Sequence, residues 1–190
     1  MSPAAFPSSR SRGQTGTALI VSLIVLLVMT LIGLSAIRGS SLQTLMATHM
    51  RDRNLAFESS EAALRDAQAW LNNQFVAAGK PNASATGSST VWTRNAPATV
   101  VGESDFTRWT AADWTSRGVA YPLQAGTAIP TVATQPRVII EEWQFVPDDI
   151  EGSAFALQRG LQNYRITVRG EGGTGGAAVV LQSLLRQRVN

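Results

Sequence analysis

The chain has 190 residues, 44% of them hydrophobic, and carries 16 basic and 13 acidic side chains, for a formal charge of +3. This length accommodates one globular domain, and so small a charge lacks the basic surface typical of nucleic-acid binding. Cysteine is absent, which excludes disulfide bonds and thiolate metal sites.

An uncharged apolar segment lies near the N-terminus. Residues 17–37 read TALIVSLIVLLVMTLIGLSAI, which meets the roughly 20-residue length that a helix needs to cross the hydrocarbon layer of a membrane. Arg10 and Arg12 precede this segment without any acidic residue, so the positive-inside rule predicts a cytoplasmic N-terminus and an exported remainder. Arg38, on the far side, is a mild counter-signal. We predict a single transmembrane helix over residues 17–38.

A general secretory signal peptide is the alternative interpretation of this segment. Its apolar stretch is shorter, about 7–15 residues, and is followed by a small-residue cleavage site. Gly33, Ser35 and Ala36 match such a site loosely. The length of the apolar run favours the membrane-spanning helix.

Four residues, GQTG, separate the two arginines from the apolar run. This arrangement resembles the leader of type IV prepilins, in which a dedicated peptidase cuts after a glycine at the cytoplasmic side of the membrane. Gly16 matches that glycine, so the resemblance implies a leader over residues 1–16 and cleavage between Gly16 and Thr17. Cleavage at Gly13 is an alternative that would leave three residues ahead of the apolar run. The simplest alternative for Gly16 is a residue that starts a helix.

The sequence becomes amphipathic after the apolar run. Met50, Phe57, Leu64 and Leu71 recur every seven residues, and Ala56, Ala63 and Trp70 immediately precede three of them. This pattern predicts a helix with a narrow apolar stripe that packs on a partner surface. We interpret the charged residues between them as a solvated face: Arg51, Asp52, Arg53, Glu58, Glu61, Arg65 and Asp66.

One helix from about Thr17 to Ala78 would join the two segments, with a transmembrane and assembly part over residues 17–38 and a periplasmic part over residues 39–78. Gly33 and Gly39 are poor helix formers, and we expect a bend or local unwinding there.

Residues 46–67, MATHMRDRNLAFESSEAALRDA, together with the block ALIVSLIVLLVMTLIGLSAIR, resemble the PilX family of type IV pilus minor pilins. YRITVRG and AVVLQSLLR near the C-terminus are similar to it more loosely. The resemblance implies a protein that primes pilus assembly at the bacterial inner membrane with other minor pilins and the major pilin, and that sits at or near the fibre tip. A PilY-type tip protein, the prepilin peptidase and inner-membrane lipid are the further implied partners.

One position departs from the pattern of major pilins. They place a glutamate at the fifth residue after the cleavage point, and counting from Thr17 puts Val21 there. A carboxylate in the apolar layer is unfavourable unless it is paired, and in pilins its partner is thought to be a neighbouring subunit's terminal amine. A subunit without this carboxylate needs no subunit ahead of it.

The remainder, residues 79–190, predicts a globular head. Gly79 and Pro81 predict the end of the long helix, and segments 137–146, 162–169 and 177–188 are rich in Val and Ile and predict strands. GEGGTGG, residues 170–176, is short enough to join the last two strands as a hairpin. We therefore predict a pilin-like α+β fold in which the second half of the helix packs on an antiparallel sheet.

The stretch from Val91 to Pro136 shows no clear period, and we expect irregular excursions or short edge strands. It contains Trp92, Trp109 and Trp114, whose rings are more often buried in a small domain than exposed to a ligand.

The residues give no support for an enzyme or for a bound cofactor. His49 is the only histidine and lies among arginines, so no base is placed beside a nucleophile. The glycines of residues 170–176 have no lysine near their end, unlike a phosphate-binding loop. Asp148, Asp149 and Glu151 form an acidic cluster, but their spacing does not match a calcium-binding loop, and we expect a solvated loop.

Two other functions remain open at this point. A type II secretion-like pseudopilin shares the leader, helix and head, and genomic neighbours or the absence of surface fibres would distinguish it. A single-span periplasmic binding module would keep its leader, so a mature N-terminus at Met1 would favour it.

Overall fold

The computed structural model describes residues 15–149 and 153–189. The chain divides into two compact units, Met1–Ala47 and Thr48–Asn190. Helix α1 spans Thr15–Ala78 and contributes residues to both. Helical backbone continues through Gly33 and Gly39, so the expected unwinding is not found. The physical reason is that a helical glycine is only about 1 kcal/mol less favourable than alanine, which is too little to interrupt a helix of 64 residues.

In the first unit, every described side chain from Gly16 to Ala47 is exposed. This segment therefore uses none of its leucine, isoleucine and valine residues to pack against the rest of its own unit. The helix is long and apolar enough to cross a membrane by length and composition.

In the second unit, α1 ends at Ala78, as predicted. Gly79 adopts a φ of 77°, a left-handed conformation that glycine reaches without steric penalty at the end of a helix. Pro81 follows two residues later and cannot continue the helix.

Six strands form one sheet in the described part of the chain. The three long strands match the three predicted segments, with ends that differ by one or two residues. The strands are β1 (Ala83–Ser84), β2 (Val91–Trp92), β3 (Val119–Ala120), β4 (Arg137–Pro147), β5 (Gly160–Glu171) and β6 (Ala178–Val189).

The strand order is β1-β2-β4-β5-β6, with β3 also paired to β4. The pairs β3–β4, β4–β5 and β5–β6 are antiparallel, and the predicted hairpin joins the last two. The antiparallel pairing predicted for the three long strands is therefore confirmed, but the pairs β1–β2 and β2–β4 are parallel and make the sheet a mixed one, which was not predicted. The parallel pairs are only two residues long, too short to give a period in the sequence.

The stretch from Val91 to Pro136, where we expected irregular excursions or short edge strands, contains the two-residue strands β2 and β3 and also short helices, which were not predicted. These helices are α2 (Ala96–Val101), a single 3₁₀ turn (Phe106–Arg108) and α3 (Ala111–Arg117). Thr110 and Asp113 form a capping box at the start of α3, a motif that can be recognised in sequence. The hydrogen bonds from Thr110 lower the pKa of Asp113, and those from Thr107 lower that of Asp105.

Two apolar clusters cover the two faces of the sheet. On one face, Ala63, Ala67 and Leu71 of α1 pack against β4 and β5. On the other face, Trp92, Phe106, Trp109, Trp114 and Ile139 form the second cluster. These tryptophans are buried, as predicted, so they stabilise the head.

Candidate assembly helix and its packing on the sheet

The predicted cleavage position lies in the first turn of α1. Residues 1–14, including Gly13 and the two arginines of the proposed leader, lie outside the described residues, whereas Gly16 and Thr17 are helical. A Cβ atom added at Gly16 would meet nothing within 4 Å. The fold itself therefore places no steric demand for glycine at this position.

The apolar part of α1 satisfies its own polar groups. Ser22 donates its hydroxyl to the carbonyl of Leu19 at 2.9 Å, and Thr30 donates to the carbonyl of Leu27 at 2.7 Å. Such bonds to the same helix matter in lipid, where no water is available to replace them. Val21 is exposed and adds no polar group, so this part of the helix suits a hydrocarbon environment.

The stripe that packs on the sheet differs from the predicted one. Met50 is 68% exposed and Phe57 is 46% exposed, whereas Leu71 is fully buried and Leu64 is partly buried. The first two of the four predicted anchors are therefore wrong. The buried positions between them carry small or polar residues: Asp52, Ala56, Ser59, Ser60, Ala63 and Ala67.

Close approach of backbone to backbone explains the small residues. A Cβ atom on Gly170 of β5 would lie 2.5 Å from the Ser59 hydroxyl and 2.8 Å from the carbonyl oxygen of Ala56. Larger residues on either side would separate the helix from the sheet. The period i, i+4, i+7 of Asp52, Ala56 and Ser59 was visible in the sequence, but a search for large apolar residues passes over it.

The two serines bridge the helix and the hairpin. Ser59 Oγ lies 2.9 Å from the carbonyl of Ala56 and 3.4 Å from that of Glu171. Ser60 Oγ lies 2.8 Å from the same Ala56 carbonyl and 3.1 Å from that of Val179. Their hydroxyls thus have partners although both side chains are buried, as buried polar groups require.

Asp52 was predicted to lie on the solvated face, and this prediction is wrong. Its carboxylate accepts hydrogen bonds from the Thr174 amide at 3.0 Å and the Thr174 hydroxyl at 2.6 Å. These bonds, the hydroxyl first, hold the pKa of Asp52 below its usual range. The tip of the β5–β6 hairpin folds over this position, which no local pattern in the sequence indicates.

The glycine-rich tip has a structural role here. Gly172 approaches α1 so closely that an added Cβ atom would lie 2.5 Å from the backbone oxygen of Asp52. Its amide donates to Ala177 and its carbonyl accepts from Ala133, both at 2.9 Å. We infer that these glycines permit contact between hairpin and helix.

The remaining candidate residues lie apart from one another. His49 is exposed on α1. Asp148 pairs with Arg188 at 2.6 Å, and Glu151 of the same acidic cluster lies outside the described residues. Among residues 15–149 and 153–189, no cluster of three or more histidine or acidic side chains has the arrangement of a metal site.

Comparison with protein-family models gives two matches that together span residues 15–187. The first 51 residues of that range, 15–65, match "PilX N-terminal", and residues 58–187 match "Type IV pilus assembly protein PilX C-term". The chain belongs to the PilX family. Searches of curated proteins and of solved structures gave no match.

Membership of the PilX family makes this chain a minor pilin associated with type IV pilus assembly. It is a structural component of the pilus that interacts with other pilus components, and its long apolar N-terminal helix is suited to membrane anchoring. The two matches cover both the apolar helix and the α+β head.

Proposed function

We propose that this PilX-family protein is made as a precursor, cut between Gly16 and Thr17 by the prepilin peptidase, and primes pilus assembly from the inner membrane. Its N-terminus faces the cytoplasm, its head faces the periplasm, and the subunit then sits at or near the fibre tip. Other minor pilins, the major pilin and a PilY-type tip protein are its proposed partners. The observation that carries the priming role is Val21.

The argument from Val21 is electrostatic. A glutamate at this position in a major pilin gains a partner when a neighbouring subunit supplies its terminal amine, because an unpaired carboxylate in hydrocarbon is several kcal/mol unfavourable or becomes protonated. Val21 is apolar and exposed within its own chain. A subunit of this kind suits the first position of a fibre, where no earlier subunit supplies an amine.

Cleavage is tested by mass spectrometry of the protein from piliated cells. We expect a mature N-terminus at Thr17, and we expect Gly16→Glu to leave the precursor uncut because a bulky charged side chain blocks approach to the backbone. Gly16 has open space around it, so the substitution leaves the fold unchanged. Gly39→Glu, at a position equally open, is the control that should still be cut. A wild-type protein that retains Met1 would contradict the proposal.

Priming is tested by counting and measuring fibres. Deletion should reduce the number of pili more than their length, since few copies are needed per fibre. The Val21→Glu variant should initiate few fibres. The Val21→Gln variant has a side chain of similar shape without the charge, so comparing the two separates the effect of charge from that of polarity. Abundant normal pili in the deletion strain, or wild-type piliation in the Val21→Glu strain, would contradict the priming role.

A further inference from the structure

One edge of strand β4 is left open in the described part of the head. Strand β5 pairs with β4 along its length, but on the other edge β2 meets it only at Ile140 and Glu141. No described strand pairs with this edge beyond Glu141. A groove of about 260 Å³ lies there, with Lys80 and Arg94 among its lining residues, and Phe155 and Gln158 from the segment around α4 (Ser153–Ala156).

A β-bulge presents a tryptophan at this groove. The pairing register of β4 shifts between Glu142 and Gln144, which leaves Trp143 without a register partner on β5. Bulges of this kind redirect side chains and are frequent beside functional sites. The guanidinium carbons of Arg94 and Arg165 lie 4.4 and 3.9 Å from the centre of the Trp143 ring. The tryptophan is thus held by two cations, Arg165 from β5 and Arg94 from the turn after β2.

The charges around Trp143 do not cancel. Glu141 neutralises Arg165 through two hydrogen bonds of 2.8 and 2.9 Å, and Glu142 pairs with Lys80 at 2.9 Å. Arg94 pairs with no carboxylate among the described residues.

Arg186, beside Trp143 on the neighbouring surface, bonds to the amide oxygen of Asn163 at 3.0 Å and likewise has no described carboxylate partner. The surface therefore carries two uncompensated positive charges, Arg94 and Arg186.

Large apolar side chains surround these cations. Phe145 and Phe155 meet edge to face with ring centres 6.0 Å apart, and Phe155 and Leu184 remain 66% and 64% exposed. Exposed aromatic and aliphatic side chains beside tryptophan and arginine are typical of the centre of protein interfaces. A groove of this volume is smaller than the usual small-molecule pocket and suits individual side chains of a docked peptide.

We propose that the open edge of β4 around Trp143 binds an extended segment of another pilus protein, in which acidic residues alternate with large apolar ones. Its carboxylates pair with Arg94 at this edge, Arg186 adds attraction from the neighbouring surface, and an apolar side chain packs against the exposed Phe155. A neutral sugar can accept hydrogen bonds from the two uncompensated cations but cannot neutralise their charge, so the charge complementarity favours an acidic peptide. This proposal rests on membership of a pilus family and is independent of cleavage at Gly16 and of priming.

Binding is tested with the full chain in detergent micelles and a fluorescent peptide, Glu-Phe-Glu-Leu-Glu-Phe, followed by anisotropy. We expect saturable binding that weakens with added salt, because screening reduces the attraction between exposed charges. Arg94→Gln should weaken binding by up to about fivefold, the range for an exposed ion pair. Arg53→Gln, an exposed cation on α1, is the matched control and should leave binding unchanged.

Two further measurements separate charge from apolar contact. The neutral peptide Gln-Phe-Gln-Leu-Gln-Phe should bind more weakly than the acidic one, by a larger factor than Arg94→Gln alone produces. Phe155→Ser should weaken binding of the acidic peptide, whereas Val100→Ser, at another exposed apolar position, should not. Absence of binding by the acidic peptide, equal binding by the neutral one, or equal effects of Arg94→Gln and Arg53→Gln would each overturn the proposal. Displacement of the peptide by a neutral oligosaccharide at this groove would also overturn it.

Discussion

Two stretches of the same helix differ in side-chain size and in burial. From Gly16 to Ala47, α1 is rich in leucine, isoleucine and valine, and every side chain is exposed. From Thr48 to Ala78, most of the fully buried positions of the helix carry alanine or serine, with Leu71 as the one large apolar residue among them. An apolar sequence therefore does not by itself show that a helix packs against its own chain. Of the two stretches, only the second buries side chains against the rest of the protein.

The difference follows from what lies against each stretch. Lipid or neighbouring subunits can adapt to bulky side chains, so the first stretch has no need for small residues. The head approaches α1 through the backbone of Gly170 in β5 and of Gly172 in the hairpin tip. The short distance between the backbone of α1 and that of the head thus limits the size of the side chains in the second stretch. Their hydrophobicity matters less.

The largest test of this comparison exchanges leucine for alanine in each stretch. Leu71→Ala removes a fully buried side chain and should lower the free energy of unfolding by about 2–5 kcal/mol. Leu31→Ala removes an exposed one and should change it by less than about 0.5 kcal/mol. Chemical denaturation in detergent, followed by tryptophan fluorescence, measures this directly, because all five tryptophans lie after Thr48.

If both variants lost the same free energy of unfolding, the first stretch would be packed as tightly as the second. The proposed difference between the two stretches would then be wrong. A loss in the Leu71→Ala variant alone, with pilus assembly reduced in the Leu31→Ala variant, would sharpen it. The first stretch would then contribute to contacts between subunits and the second to the fold of the head.

The parts of the fold that sequence predicted are those with a repeated local signal. The apolar span, the end of α1 at Gly79 and the three long strands all follow from composition and period. The parallel pairings of β1 and β2 were missed because two-residue strands have no period. The packing of the second half of α1 on the sheet was predicted, but several of its contact residues were missed because they are small or polar and meet a distant hairpin. Asp52, for example, has no local sequence feature that distinguishes it from a surface carboxylate, and its partner Thr174 lies 122 residues away.

Asp52→Asn tests whether a polar contact specifies this packing. The substitution weakens the two hydrogen bonds from Thr174 and should lower stability at neutral pH by less than Leu71→Ala does. Glu58→Gln, on an exposed position of the same helix, is the control and should have little effect. Thermal unfolding at several pH values measures both variants.

The pH dependence of this contact has a definite sign. The pKa of Asp52 is lowered in the folded protein, so the folded state favours the ionised form. The stabilisation is present above the unfolded pKa, about 3.9, and is lost as pH falls through the folded value. The gap between wild type and Asp52→Asn should therefore close in acid. A gap that is unchanged down to pH 2 would show that the carboxylate charge is irrelevant to the contact.

The smallest expected effect concerns Tyr164, which faces the second stretch of α1 from the sheet and meets Phe75 edge to face with ring centres 5.7 Å apart. Its hydroxyl is buried and has no hydrogen-bond partner among the described residues. Tyr164→Phe keeps the ring contact and removes an unsatisfied polar group, so it should leave stability unchanged or raise it by up to about 1 kcal/mol.

Alkaline pH separates this effect from a simple change in packing. Burial, and then the charge of Glu142, raise the pKa of Tyr164, so the unfolded chain releases this proton first. Stability from the neutral hydroxyl is complete below the unfolded pKa of about 10 and declines as pH rises above it. Tyr164→Phe should lose stability less steeply than wild type between pH 10 and 11.5, measured by denaturation, and Tyr121→Phe is the control. A clear loss of stability in Tyr164→Phe at pH 7 would instead mean that the Tyr164 hydroxyl has a hydrogen-bond partner. The buried hydroxyl of the sheet would then be hydrogen-bonded, as the buried hydroxyls of Ser59 and Ser60 on α1 are.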